Sequence, residues 1–167
     1  MKLIAAVDQN WGIGYEGQLL EKIPQDMKFF KEKTIGKIVV MGRLTFESLP
    51  ERKPLTDRIN IVLSKSNTIN CEGVIVCSSL PEVFLKVKKY NLDDIFIIGG
   101  ESIYVQFMQY CSEAYITKID KGYVANKHFP NLDQLKNWRC VSQGLPQTFK
   151  NFSFTFNVYK NVTPRLD

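Results

Sequence analysis

The stretch Trp11-Gly12-Ile13-Gly14-Tyr15-Glu16-Gly17 decides how the chain is read, because its glycines match the G-x-G-x-x-G fingerprint of dinucleotide-binding sheets letter for letter. That fingerprint carries physics only between a strand and a helix, with an acid about 20 residues on for the adenosine ribose. The strand is present, since Lys2-Leu3-Ile4-Ala5-Ala6-Val7-Asp8 is an apolar run of strand length. No binding helix fits after it. Only six residues separate Gly17 from Pro24, and proline cannot sit in a helix interior. The next apolar run, Ile38-Val39-Val40-Met41, ends at Gly42-Arg43, which puts a cation where the acid belongs. The glycines therefore belong to a loop, and the fold has to be read from the rest of the chain.

Outward from that loop, apolar runs of strand length alternate with helical periodicity, the pattern of an α/β domain with a mostly parallel central sheet and flanking helices. Inner strands are expected at Ile38 to Met41, Ile59 to Leu63, Val74 to Cys77 and Ile95 to Ile98. Helices are expected at Gln25 to Thr34, Thr45 to Leu49, Leu80 to Tyr90 and Glu101 to Tyr110. Ser79-Leu80-Pro81-Glu82 supplies the third of these with a serine cap, then proline and an acid in its first turn. After Ala114 to Ile119 the helical signals stop. Trp138 to Ser142 and Ser153 to Lys160 alternate like solvent-facing antiparallel strands, with Phe152, Phe154, Phe156 and Val158 on one face. The expectation is one domain over residues 1–167, its parallel sheet finished by an antiparallel C-terminal hairpin. No linker, repeat or low-complexity tract marks a second domain.

A chain of 167 residues is long enough to bury a core without metal or disulfide staples, and 44% hydrophobic with 23% charged residues is ordinary for a globular protein. No run approaches the roughly 18 apolar residues of a membrane span, and the N-terminus lacks the zones of a signal peptide. A cytoplasmic location without membrane association is expected. Cys71, Cys77, Cys111 and Cys140 are too far apart for a C-x-x-C pair, and His128 is the only histidine, so no metal site is expected. A Cys-His128 dyad and inert buried thiols both fit the cysteines, the second being the commoner arrangement. The net charge of +5 suits acidic small ligands or nucleic acid. Its cations are scattered, with Lys86, Lys88 and Lys89 densest, which reads as a solvated helix face before a nucleic-acid stripe.

In open α/β sheets ligands sit beyond the carboxyl ends of the strands. Three such junctions carry anion-binding chemistry. Met41-Gly42-Arg43-Leu44-Thr45 places a turn, a guanidinium and a hydroxyl at a helix start, and Leu63-Ser64-Lys65-Ser66 sets hydroxyls around an ammonium. Ile98-Gly99-Gly100-Glu101-Ser102 lets a ligand approach bare backbone before another helix. Each alone also reads as an ordinary turn. Together they suit a ligand with several phosphates, and Arg43 with Lys65 in place of an acid favours a ribose 2'-phosphate, hence NADPH before NADH.

Asp26, in Pro24-Gln25-Asp26-Met27-Lys28-Phe29-Phe30, has two readings. An acid near a helix N-terminus complements the dipole, worth a few tenths to about 1 kcal/mol. The same residue borders an apolar stripe through Met27 and Phe30, where a carboxylate would grip a planar N-H/NH2 edge and have its pKa raised by desolvation. Both hold together.

These residues resemble dihydrofolate reductases of the bacterial chromosomal type. The resemblance runs from Leu3-Ile4-Ala5-Ala6-Val7 through Ile13-Gly14, Pro24-Gln25-Asp26-Met27 with Phe30-Lys31, and Val40-Met41-Gly42-Arg43-Leu44-Thr45-Phe46-Glu47-Ser48. It continues with Asn60-Ile61-Val62-Leu63-Ser64, Ile98-Gly99-Gly100, Tyr115-Ile116-Thr117-Lys118-Ile119-Asp120 and His128-Phe129-Pro130, nearly the whole chain in the family's order. It implies reduction of 7,8-dihydrofolate to tetrahydrofolate, with hydride passing from NADPH to pterin C6 while N5 gains a proton through water. By resemblance Asp26 holds the pterin N3 and 2-amino edge, with Thr117 hydrogen-bonded to it directly or through water. Ile4, Ala5 and Ile98 complete the substrate region, and Met27, Phe30, Leu49 and Leu55 enclose the aminobenzoyl ring. Arg58 would pair in two-pronged fashion with the glutamate α-carboxylate, a task at which lysine is poorer.

The cofactor would lie on Ala6, on Gly42, Arg43, Leu44 and Thr45, on Leu63, Ser64 and Lys65, and on Ile98, Gly99, Gly100, Glu101, Ser102, Ile103 and Tyr104. The family's Gly99-Gly100 peptide is cis. Residues 9–23 would form a mobile loop whose freedom comes from Gly12, Gly14 and Gly17, with Ile13 and Leu19 excluding water and Gly14 beside the cofactor. The implied partners are dihydrofolate and antifolate inhibitors, with no nucleic acid or membrane, and the expected state is a monomer.

Two departures stand out. Leu20-Glu21 replaces the family's Pro-Trp, whose tryptophan orders water near the pterin; Glu21 either points to solvent or approaches Asp26 and raises its pKa by repulsion. Asn126 lies where many bacterial relatives carry an acid that braces the loop. Two other readings compete. An aminouracil reductase of riboflavin biosynthesis on the same fold would not need Asp26 with Arg58, and a basic nucleic-acid-binding domain would show steeply salt-dependent binding.

Overall fold

The computed structural model describes residues 1–66 and 69–165. In chain order the strands and helices are β1 (Lys2–Val7), β2 (Gly12–Tyr15), β3 (Gln18–Leu19), α1 (Pro24–Thr34), β4 (Ile38–Gly42), α2 (Arg43–Glu47), β5 (Ile59–Leu63) and β6 (Val74–Cys77). There follow α3 (Leu80–Val87), β7 (Ile95–Gly99), α4 (Glu101–Phe107), β8 (Glu113–Ile119), β9 (Lys127–His128), β10 (Trp138–Gln143), β11 (Gln147–Phe149) and β12 (Phe152–Asn161).

Eight of these strands run in the order β10-β12-β8-β1-β7-β4-β5-β6, with β11 added on β12. The ladders from β8 to β6 are parallel, and those that bring in β12, β10 and β11 are antiparallel. The expected α/β architecture, a mostly parallel sheet closed by an antiparallel C-terminal hairpin, is what the chain adopts.

Consecutive side chains on a strand point to opposite faces, and the core divides accordingly. Leu3, Val40, Ile61 and Ile97 join α3 and α4 through Val83, Val87, Ile103 and Phe107 on one face. Their neighbours Ile4, Val39, Met41, Val62 and Phe96 join Phe46 of α2, and Phe29 and Phe30 of α1, on the other. Near-continuous apolar runs are required because both faces of the parallel sheet are covered. Lys86, Lys88 and Lys89 are exposed at the end of α3, as expected of a solvated face.

The structure differs from the sequence reading in three places. β12 does not keep one solvent face: Phe152 and Phe154 are buried on one side, and Asn157, Tyr159 and Asn161 on the other. Phe152 and Phe154 pack with Ile23 and Ile119, while Tyr159 joins the main core, so both its faces meet protein. The helix ends also move. α2 opens at Arg43, immediately after the extended Gly42; α3 stops at Val87; and α4 gives way at Phe107 to a 3-10 turn over Met108–Tyr110, a common form for a last turn. Finally, residues 12–19 are not a bare loop, since β2 pairs with β3 and with β9 in a small second sheet.

Among the described residues no helix is long and apolar enough to cross a membrane, and no group of three His, Cys, Asp or Glu side chains is placed to hold a metal ion. All four cysteines are free, with Cys77 and Cys111 buried.

Candidate active site

Parallel pairing brings the carboxyl ends of the inner strands to one edge. Met41 pairs with Gly99, Gly42 with Leu63, and Leu63 with Cys77, so the three anion-type junctions adjoin. On the other side of β7, Ala6 of β1 pairs with Thr117 of β8. α1 starts at Pro24 and crosses this end of the sheet, which sets Asp26 against β8.

Thr117, 2% exposed, donates its hydroxyl to Asp26 Oδ1 at 2.6 Å. Burial pushes the Asp26 carboxyl above its ordinary value, and the bond from Thr117 works in the opposite direction. No cation is paired with Asp26 among the described residues. A half-buried carboxylate with one neutral donor retains lone pairs for a ligand's N-H groups.

The wall beyond it is apolar. Phe30, Leu49, Leu55 and Ile98 are partly buried and pack on the cluster that contains Ile4. Met27 is 47% exposed at the rim. Arg58 closes the far end, donating to the Thr56 carbonyl at 2.9 Å and to Thr34 Oγ1 at 3.3 Å. Burial lowers its pKa, opposed by the charge of Asp57. Arg58 makes no ion pair among the described residues, and a guanidinium held by neutral acceptors suits a carboxylate ligand.

At the glycine edge the Gly99-Gly100 peptide is cis, and Gly99 has φ +128°. A side chain at Gly99 or Gly100 would meet Thr45 Oγ1 at 3.4 or 3.3 Å, and one at Gly42 would meet Ile103 at 3.0 Å. Tyr104 is buried beside them, and its hydroxyl donates to the Ile4 carbonyl at 2.8 Å. Neither α2 nor α4 has a side-chain cap at its start. Arg43 is paired with Glu47 at 2.7 Å, Ser64 is bonded to Ser66, and Lys65 is exposed. Ser102 is exposed and Leu44 is 62% exposed on this rim. Ala5 and Ile13 pack partly buried against the main core, whereas Leu19 is 58% exposed on the outside of the hairpin.

One group that holds the loop, Asp8, was not singled out from the sequence. Asp8 is buried; its Oδ1 accepts from the Gly12 and Asn10 amides at 2.8 and 2.9 Å, and Oδ2 accepts from Tyr123 N at 2.9 Å. An aspartate just past a strand, ahead of a glycine-rich turn, is the local signal that could have found it. Asn126 donates its backbone N-H to Gly14 O at 3.0 Å and accepts from Glu16 N at 3.2 Å, so a neutral amide oxygen takes the bracing place.

Glu21 fits neither of its two readings. It is 14% exposed, and accepts from Lys150 Nζ at 2.9 Å and from Tyr123 Oη at 3.0 Å. The Lys150 ammonium holds its carboxyl below the ordinary value, with Tyr123 helping. Lys150 lies in the turn between β11 and β12, so a cation distant in sequence removes the charge from solvent and leaves Asp26 unaffected.

A family model for dihydrofolate reductase matches residues 1–161. The chain is 41% identical over 141 residues to the dihydrofolate reductase of Buchnera aphidicola subsp. Acyrthosiphon pisum, covering 84% of this chain and 85% of that protein. To the dihydrofolate reductase of Bacillus subtilis it is 34% identical over 162 residues, covering 96% and 94%. Among solved structures, a dihydrofolate reductase from Enterococcus faecalis complexed with NADP(H) and RAB-propyl superposes with a TM-score of 0.84 at 32% identity, covering 96% of this chain and 95% of that one. The chain therefore belongs to the dihydrofolate reductase family, whose members are NADPH-dependent oxidoreductases.

Proposed function

We propose that this protein reduces 7,8-dihydrofolate to 5,6,7,8-tetrahydrofolate with NADPH, supplying tetrahydrofolate for one-carbon metabolism. The observation that carries the reading is the Thr117–Asp26 pair at 2.6 Å, a carboxylate with a raised pKa near the start of α1, with apolar Phe30, Leu49 and Leu55 nearby and Arg58 bonded to Thr34 at the helix's other end. This arrangement has a polar group at each end and apolar side chains between, which suits the order of pterin, aminobenzoyl and glutamate in the substrate. Asp26 takes the N3 and 2-amino edge in two parallel hydrogen bonds, and Thr117 fixes the direction in which the carboxylate points. Phe30, Leu49 and Leu55 cover the central ring with Met27 at its rim, and Arg58 receives the α-carboxylate.

The glycine edge fits the cofactor. Bare backbone at Gly42, Gly99 and Gly100, and the donors Arg43, Thr45, Ser64, Lys65 and Ser102, are what a flat ring and several phosphates need. When bound there, NADPH supplies the hydride for pterin C6. Tyr104, by occupying the Ile4 carbonyl, holds β1 and α4 in register around that position. Burial keeps a proton on or near Asp26 at higher pH than an exposed carboxyl would, which favours delivery to N5 through water. Ile13 and Leu19 on the hairpin exclude bulk water when it closes. The same site takes antifolate inhibitors. Every group named comes from one chain and one domain, so a monomer suffices.

The test is to mix protein, NADPH and dihydrofolate and follow the loss of reduced-nicotinamide absorbance. Steady loss that requires both compounds is expected; no turnover would overturn the reading.

A further inference from the structure

We propose that Glu101 is a positioning residue that couples the cofactor edge to the β2–β3 hairpin. This rests on the functional reading above and extends it to the communication between two parts of the site.

Glu101 is the first residue of α4 and follows the Gly99-Gly100 peptide directly. An acid in a first helical turn ordinarily serves the dipole or caps free N-H groups of its own helix. The N-cap here is Gly100, and Glu101 has partners outside its own helix. Its carboxylate reaches out of the helix, Oε1 accepting from the His128 backbone N-H at 2.9 Å and Oε2 lying 3.9 Å from Lys127 Nζ. Both partners are in β9, the edge strand of the small sheet, which pairs Gly12 with His128 and Gly14 with Lys127. Next to it, Phe129 N donates to Trp11 O at 2.7 Å, and Asn126 N donates to Gly14 O at 3.0 Å.

The path is thus continuous: Gly99-Gly100 backbone, Glu101 carboxylate, β9 amide, β2. A ligand resting on the glycine peptide acts one residue from the group that fixes β9, and β9 in turn sets where residues 12–14 lie. Binding at the edge and closure of the hairpin are then linked, each favouring the other. The bond to a backbone N-H carries this coupling. The Lys127 pair is long, with both side chains about half exposed, and adds little.

The experiment compares Glu101→Ala, Glu101→Gln and Lys127→Ala with the unsubstituted enzyme. It measures NADPH release by stopped-flow fluorescence, KM for both substrates, kcat, and the His128 amide resonance with and without NADP+. Glu101→Ala is expected to release NADPH about tenfold faster, as for loss of one hydrogen bond to a charged group, while KM for dihydrofolate changes less than about twofold. Glu101→Gln keeps an acceptor oxygen and should restore release to within about twofold of the unsubstituted rate, with Lys127→Ala alongside it. The His128 amide should shift on adding NADP+ in the unsubstituted protein, a readout that needs no folded variant. Release from Glu101→Ala at the unsubstituted rate, a Gln variant as impaired as the Ala variant, or an unmoved His128 amide would each overturn the proposal. Failure of the unsubstituted protein to bind NADPH would instead remove the functional reading beneath it.

Discussion

Asp26 and Glu21 are carboxylates five residues apart in one stretch of chain, and the fold treats them in opposite ways. Asp26 is desolvated with one hydroxyl in partial compensation, so its pKa rises. Glu21 is given the Lys150 ammonium and the Tyr123 hydroxyl, so its pKa falls. One acid keeps its capacity to bind and is held at a cost; the other is satisfied within the protein and fastens the loop. The partner set, not position in the sequence, separates an acid left with lone pairs for a ligand from one satisfied within the protein.

The sharpest way to break this comparison is to make each acid neutral and isosteric. Asp26→Asn should lower kcat/KM for dihydrofolate at neutral pH by about 10²- to 10⁴-fold, the range for a lost acid-base group, while Glu21→Gln stays within about threefold. Equal losses in steady-state assays would erase the distinction. Glu21→Gln should also leave the pH profile of hydride transfer superimposable on that of the unsubstituted enzyme, because Lys150 and not Asp26 faces Glu21.

Thr117→Val sharpens the comparison from the other side. It removes the one donor that lowers the Asp26 pKa, so Asp26 should titrate at higher pH than in the unsubstituted enzyme, and dihydrofolate affinity should fall about tenfold. A downward move of the titration in a pH series would contradict the assigned bond.

Stability should follow the two directions with opposite sign. A carboxyl with a raised folded pKa contributes stability below its unfolded pKa, and that contribution is lost as pH rises through the folded pKa; Asp26→Asn should therefore stabilise at pH 7, by about 1 kcal/mol. A carboxyl with a depressed folded pKa contributes stability above its unfolded pKa and loses it as pH falls through the folded pKa. Lys150→Ala should cost less than about 1 kcal/mol at pH 7, the range for a pair whose cation is exposed, and nothing once Glu21 is protonated. Denaturation midpoints at pH 7 and in acid check both, and two changes of the same sign at pH 7 would refute the contrast.

The sequence carried the sheet and the strand-end chemistry well. Runs such as Ile38 to Met41 and Ile95 to Ile98 can only be inner strands of a sheet covered on both faces, and glycine or a hydroxyl just past a strand says where a ligand approaches. Local pattern stopped being informative in three places. β2, β3 and β9 are two to four residues long, with glycine in β2, so no alternation marks them. β12 is buried on both faces, which its alternating phenylalanines conceal. The Glu21–Lys150 pair spans 129 residues, and neither residue has a neighbour in sequence that announces the other. Asp26 was visible as an acid on an apolar border; its link to Thr117, 91 residues away, came from family resemblance alone.

The glycines of the opening stretch differ in what they forbid, and that sets how the chain can drift in sequence. Gly17 has φ +79° with nothing within 4 Å of a built Cβ, so asparagine, which tolerates that backbone, is an open substitution. Gly12 is closed to every side chain, because a Cβ would lie 2.7 Å from the Ala125 Cβ and 3.0 Å from Asp8 Oδ1. Position 12 is constrained by a neighbour more than a hundred residues downstream: a side chain there would need both Ala125 and Asp8 to give way. The half of the loop next to β1 is fixed by a distant neighbour, whereas its tip is limited by its own backbone conformation.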